Sequence, residues 1–131
     1  MSVKNYWDAS ALIESAANLE LRERLAGEGG YTRPHTLAEI FSTLTGGKIG
    51  FQMDANVAAA VIASLAADLD FIDLTAAEIL KTFAQARAKG VRGGRVHDYL
   101  HAVAAKKAGA TVLLTTDKFD FDGLFEPVNF V

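Results

Sequence analysis

The 131-residue chain has no cysteine, which excludes disulfides and thiolate metal sites and suits a reducing compartment. Proline occurs only twice and charged residues make up 22%, so the polar bias of a disordered segment is missing. Long hydrophobic runs are missing too. The longest uncharged apolar stretch, ANVAAAVIASLAA from Ala55 to Ala67, has 13 residues against the roughly 20 that span a bilayer, and it reads as a helix of a soluble fold. No basic segment followed by an apolar one stands at the start, so no signal peptide is expected and the expected location is cytoplasmic. With no low-complexity tail, internal repeat or interdomain linker, residues 1–131 read as one domain.

Half of the residues are hydrophobic, and their spacing alternates between two periods. Short β-rich runs fall at Val3 to Trp7, Gly30 to Arg33, Phe71 to Leu74, Thr111 to Thr115 and Pro127 to Val131, as expected of strands. Between them, apolar residues recur at helical spacing: Leu12, Ile13, Ala16 and Ala17; Leu37, Ile40, Phe41 and Leu44; Val96, Leu100, Val103 and Ala104. Thr36 with Glu39, and Thr75 with Glu78, have the spacing of capping boxes, while Gly90 and Gly109 each follow a lysine-bearing last turn. Strands alternating with helices imply parallel pairing through helical crossovers, an α/β sandwich.

In such sheets, ligands gather outside the carboxyl ends of the strands, where strand order reverses. Asp8 ends the first strand in NYWDASALI, and Asp117 follows the strand in TVLLTTDKFDFD. Glu39 and Asp98 stand near the starts of two helices, so four acids are candidates for one rim. Each also has a plain structural reading: Asp8 as a helix N-cap, Glu39 as the third residue of a capping box, Asp98 as a charge favoured by the helix dipole, Asp117 as a turn residue. Taken together, crowded carboxylates repel unless a cation sits among them, and an oxygen-only set suits Mg²⁺ or Mn²⁺. The chemistry suggested is metal-assisted phosphoryl transfer.

The runs DASALI, TLAEIFSTL, VHDYLHAVAAKKAGA and LLTTD, in this order and spacing, resemble PIN-domain ribonucleases, and among them the VapC-type toxins of toxin–antitoxin pairs. The resemblance spans essentially the whole chain. It implies a three-layer α/β/α sandwich with a mostly parallel five-stranded sheet and an acidic Mg²⁺ or Mn²⁺ site. It also implies an endoribonuclease that cleaves RNA with a metal-activated water, partnered by a small cognate antitoxin. Within it, Asp8, Asp98 and Asp117 would hold the metal, and Glu39 would be a further ligand or position the attacking water. Ser10 and Thr115 would orient Asp8 through their hydroxyls, or serve only in local capping and turns. In the last turn, Asp120 and Asp122 compete with Asp117 for the same role. The alternative is a catalytically inactive PIN-like module that binds RNA or protein, which the intact acidic quartet disfavours.

Three other features bear on function. His97 and His101 in HDYLH superficially resemble a zinc helix, but the intervening acid is Asp and the only other histidine, His35, lies in an unrelated segment; they read as helix-surface or substrate-edge residues. DFDG lacks the spacing and closing Glu of a calcium loop. The net charge of −3 is no obstacle to binding a polyanion once a metal neutralises the acids, and Arg92 and Arg95, in a glycine-rich connection, read as RNA-phosphate ligands. The weakly polar helix from Ala55 reads as a surface for a second copy of the chain, giving a homodimer, or for the antitoxin. Two other folds with a rim aspartate are disfavoured: an aspartyl phosphatase needs a second Asp where Ser10 stands, and a receiver domain needs an acidic pair near Asp8 and a Lys after the final strand.

Overall fold

The computed structural model describes residues 3–48 and 50–131, the side chain of Lys118 excepted. In chain order the elements are β1 (Asn5–Trp7), α1 (Ala9–Ala17), α2 (Leu19–Glu28), β2 (Tyr31–Thr32), α3 (Pro34–Thr45), α4 (Ala55–Ala66), β3 (Asp70–Phe71), α5 (Ala76–Ala84), α6 (Arg95–Ala108), β4 (Val112–Thr115) and β5 (Val128–Phe130). Short 3-10 turns at Arg87–Lys89 and Lys118–Phe121 precede α6 and follow β4. The strands form one sheet in the order β3-β2-β1-β4-β5, every pair parallel. This is the expected five-stranded α/β architecture. No helix among the described residues is long and apolar enough to cross a membrane.

Both faces of the sheet are covered, so the central strands are apolar throughout and successive residues enter opposite cores. Trp7 and Leu114 face a layer built on Leu12, Leu25, Ile40, Ile62 and Leu65 from α1 to α4. Tyr6 and Leu113 face the other core, with Leu74, Leu100, Phe121 and Leu124. The β1–β4 pairing, Asn5 to Val112 through Trp7 to Leu114, joins the two ends of the chain at the centre of the sheet.

Helix boundaries follow local chemistry, with two departures from the sequence reading. Thr75 and Glu78 form the reciprocal capping box at the start of α5, and Gly109 closes α6 in a left-handed conformation. Thr36 and Glu39 do not form one. Pro34, pre-set for a first helical turn, starts α3 three residues earlier, with Arg33 as N-cap, and the Thr36 hydroxyl is buried against that of Thr32 at 2.8 Å. Gly90 closes only the 3-10 turn, because α5 has already ended at Ala84. The third strand is also shorter than the expected run to Leu74: pairing ends when Ile72 N–H donates to the Thr32 carbonyl, and the Asp73 carboxylate then turns back onto Leu74 N–H.

Between α2 and β2 the backbone passes so close to Trp7 that only glycine fits. Gly30 has φ +148°, and a Cβ there would lie 2.6 Å from Trp7 Nε1 and 2.8 Å from the Asn5 carbonyl. Trp7 cannot yield, being fully buried and bonded through Nε1 to the Gly29 carbonyl at 3.0 Å. Gly30→Ala is therefore expected to destabilise the fold by about 2 kcal/mol or more, from strain and overpacking together. Urea denaturation followed by tryptophan fluorescence measures it, and an unchanged midpoint would contradict the close approach.

Candidate functional site

The chain runs from β1 outward to β2 and β3 on one side, and places β4 and β5 on the other. Strand order thus reverses at β1 and β4, where a crevice is expected at the carboxyl edge. A cleft of about 290 Å³ opens there, lined by Asp8, Ser10, Glu39, Asp98, His101 and Asp120 among others.

Asp8 follows β1 directly and does two things at once. As N-cap of α1, its Oδ1 accepts from Ala11 N–H at 2.8 Å, and from the Ser10 hydroxyl at 2.7 Å. It also lines the cleft while only 6% exposed. The Ser10 hydroxyl lies 3.2 Å from Thr115 Oγ1 and accepts from Thr116 N–H at 3.1 Å, while Thr115 Oγ1 accepts from Asp117 N–H at 3.1 Å. These two hydroxyls fasten the end of β1 to the end of β4.

Glu39, on α3, accepts a hydrogen bond from His101 Nε2 on α6 at 2.9 Å. A carboxylate can only accept, so the hydrogen sits on Nε2, and in the neutral ring Nδ1 accepts from the Tyr6 hydroxyl at 2.7 Å. His101 is thus buried, 3% exposed, rather than on the helix surface, and it lines the cleft from within because the α6 face carrying Asp98 turns inward three residues later. The other half of the pair behaves differently: His97 is exposed and stacks on His35, ring centroids 6.3 Å apart and planes 15° from parallel. His35, one turn before Glu39 on α3, is therefore part of this neighbourhood and not of an unrelated segment.

Asp98 sits in the first turn of α6, half-buried at the cleft. From the turn after β4 it is Asp120 that reaches the cleft. Asp117 is exposed and its Oδ1 caps the turn, accepting from Phe119 N–H at 3.2 Å. A 3-10 turn brings residues three apart onto one side, so Asp120 returns over Asp117 while the latter is committed to the backbone. Asp122 lines a different depression. Arg95 donates through Nη2 to the Asp122 carbonyl at 2.7 Å and so braces this turn, whereas Arg92 is exposed beside Arg87 and Val91.

Burial and like charge act on the acids unequally. Burial pushes the Asp8 carboxyl up, and the hydroxyls of Thr115 and Ser10 with the Ala11 N–H reverse this only in part. Asp98 is pushed up to about 6 by burial, then by the charges of Asp120, Asp8 and Glu39. Asp120 is raised by burial and by Asp117 and Asp8, against the pull of Arg95. Glu39 goes the other way: burial would raise it, but the His101 hydrogen bond and the charges of His101, His35 and His97 hold it below the usual carboxylate range.

Among the described residues no three His, Asp or Glu side chains are drawn together tightly enough to enclose an ion as they stand. The donor set still suits a hard cation. It is all oxygen, its members raise one another's pKa, and Mg²⁺ keeps several waters and needs only one or two direct carboxylates.

The Asp98 shift carries a consequence for stability. Its folded pKa of about 6 lies above the unfolded value of 3.8, so the folded state holds the proton more tightly. Stability then falls as pH rises from about 4 to 6, and the full cost is present above that window. With allowance for solvent screening at a half-exposed site, Asp98→Asn is expected to stabilise the metal-free protein by roughly 1 kcal/mol at pH 7. The gain should vanish below about pH 4, as melting curves in a chelator across that range would show; a gain independent of pH would refute the assignment.

Known proteins bear on this arrangement. The sequence model of the PIN domain family matches residues 6–122, a span that contains Asp8, Glu39, Asp98 and Asp120. The crystal structure of PAE2754 from Pyrobaculum aerophilum has the same fold, with a TM-score of 0.71 at 20% identity over 94% of this chain and 86% of that one. No curated protein matches the sequence. Since the family match extends over most of the chain and takes in every acid of the cleft, the chain belongs to the PIN domain family, whose members are typically nucleases.

Proposed function

We propose that the chain is a Mg²⁺- or Mn²⁺-dependent endoribonuclease and the toxin of a type II toxin–antitoxin pair. The observation that carries the nuclease reading is the convergence of Asp8, Glu39, Asp98 and Asp120, from four separate segments, on one cleft at the switch point of the sheet. Asp8, Asp98 and Asp120 would hold the metal, with Glu39 at its edge and Asp117 one step back in the turn. A divalent ion bound there supplies charge neutralisation and Lewis acidity for opening a phosphodiester. The remaining work falls to the chain itself. Ser10 and Thr115 fix the Asp8 carboxylate, and His101 fixes Glu39, which stays ionised and able to orient the attacking water. Arg95 holds the Asp120 turn against α6, and Arg92 offers an exposed guanidinium to RNA phosphate.

Cleavage of an RNA panel with Mn²⁺ and with chelator tests this reading. Asp8→Asn should keep the wild-type circular dichroism spectrum and lose more than the roughly 10–100-fold in rate that removing a ligand's supporting partner costs. Asp120→Asn should lose more than Asp117→Asn. Metal-dependent cutting by Asp8→Asn at the wild-type rate would refute the site.

The toxin reading adds partners. On α4, Ala58, Ile62 and Leu65 are buried within the chain, so Ile62 belongs to the core and not to a docking face. The outward face is Val57, Ala59, Ala60 and Ala63, with Phe41 and Phe51 also exposed nearby in sequence. We assign this apolar face to a homodimer or to the antitoxin, whose basic side chain would complement the acidic cleft. Ala59→Lys with Ala63→Lys should leave folding intact and reduce the mass measured by light scattering from dimer to monomer. A wild-type monomer at high micromolar concentration would refute the dimer, and a neighbouring small protein that neither co-purifies nor suppresses cleavage would refute the antitoxin.

A further inference from the structure

Three side chains among the described residues have a buried polar atom with no partner: Asn5 Oδ1, Arg33 Nε and Arg95 Nε. Two of them are held through another atom, Asn5 by its Nδ2 bond to Glu28 and Arg95 by its Nη2 bond to Asp122. Among the described residues Arg33 has no such second bond, and none of their ion pairs includes it. Yet it is only 6% exposed. Its Nε is shut away from solvent without an acceptor, while Nη1 and Nη2 are not among the enclosed atoms and are left to bond something outside the chain.

Its place in the fold says what that is. Tyr6 on β1 stands opposite Tyr31 on β2. Continued two residues past these strands, to where side chains return to the same face of the sheet, that register carries Arg33 toward the level of Asp8. Neighbouring strands are about 4.8 Å apart, and that face is the one covered by α6, which carries Asp98 and His101. Arg33 also acts electrostatically on Tyr6, whose hydroxyl bonds His101 and, through it, Glu39. Its charge is not among the leading influences on Asp8, Glu39, Asp98 or Asp120, so Arg33 stands outside their cluster. Arg33 pairs with none and is not among the residues lining the cleft.

We propose that Arg33 is the binding site for a backbone phosphate of single-stranded RNA, adjacent to the phosphodiester held at the carboxylates. The proposal rests on the nuclease reading above. A polynucleotide presents phosphates on both sides of the one being cut, so a strand lying along the carboxyl edge of the sheet carries its next phosphate from Asp8 toward β2. There the planar fork of Arg33 meets two phosphate oxygens at once. RNA thereby supplies the acceptor the fold withholds, while the acids of the cleft repel any strand that arrives without a cation there.

The test measures binding of a labelled single-stranded RNA to the full chain with Ca²⁺ in place of the catalytic metal, across a range of salt, for wild type, Arg33→Met and Arg33→Lys. Arg33→Met should bind about tenfold more weakly, with a salt slope shallower by about 0.7, the contribution of one phosphate contact on a single strand. In the RNA-free protein it should melt no lower than wild type, because Met fills the same space without an unpaired charge. Arg33→Lys should keep the slope but lose part of the affinity, having charge without the fork. Wild-type affinity and slope in Arg33→Met overturn the proposal, also if that variant instead weakens binding of a protein partner. So does a marked fall in its RNA-free melting temperature, which would make Arg33 a structural residue. If the wild type itself binds no RNA, the nuclease reading fails along with it; if wild type and Arg33→Met bind RNA alike, only the Arg33 assignment fails.

Discussion

The hydrogen bond from His101 Nε2 to Glu39, 2.9 Å long, joins the two helical layers across the carboxyl edge of the sheet. Glu39 belongs to α3, packed on one face, and His101 to α6, packed on the other. Without the bond, Glu39 would be a half-buried carboxylate in the cleft of Asp98 and Asp8 with only the charges of His35 and His97 to favour its ionised form, and leaving such a group unsatisfied costs more than the bond itself contributes. With it, Glu39 is ionised and fixed. The Tyr6 hydroxyl behind His101 comes from the central strand, so ring, carboxylate and sheet move as one unit.

That anchoring separates the acids by environment. Glu39 is held below the usual range by its histidine neighbours, while burial raises Asp8 and Asp98 and the charges of Asp120, Asp8 and Glu39 raise Asp98 further. Carboxyls pushed in opposite directions within one cleft differ in what they can do with a proton at neutral pH. The clasp of Ser10 and Thr115 has the matching mechanical role, tying the end of β1 to the end of β4.

Much of this was legible in the sequence, and what was not has identifiable causes. The five strands and the rim position of Asp8 follow from periodicity, because parallel strands buried on both faces leave an uninterrupted apolar run that ends abruptly in a charge. Glu39 stands out as a candidate but with a competing structural reading, because Thr36 imitates a capping box that Pro34 pre-empts. The choice of Asp120 over Asp117 depends on the turn being 3-10, which three acids in eight residues do not reveal. His101 had a signal, its three-residue offset from Asp98 on a helix whose apolar phase includes Leu100. Arg33 had none, because its lack of a partner is a property of the packed structure alone. The neighbourhood of His35 and His97 likewise depends on α3 and α6 meeting, which spacing within either helix cannot show.

The pairing of β1 with β4 has a consequence in time. More than a hundred residues separate the two strands, with Lys4 N–H bonded to the Thr111 hydroxyl 107 positions away. Contacts of such separation form late, after shorter loops have closed. During synthesis, Asp8 leaves the ribosome early and must wait until Thr115 and Asp120 have followed before the cleft exists. A growing chain therefore carries the early acids of the site, Asp8, Glu39 and Asp98, without the cleft that gathers them until the sheet has closed.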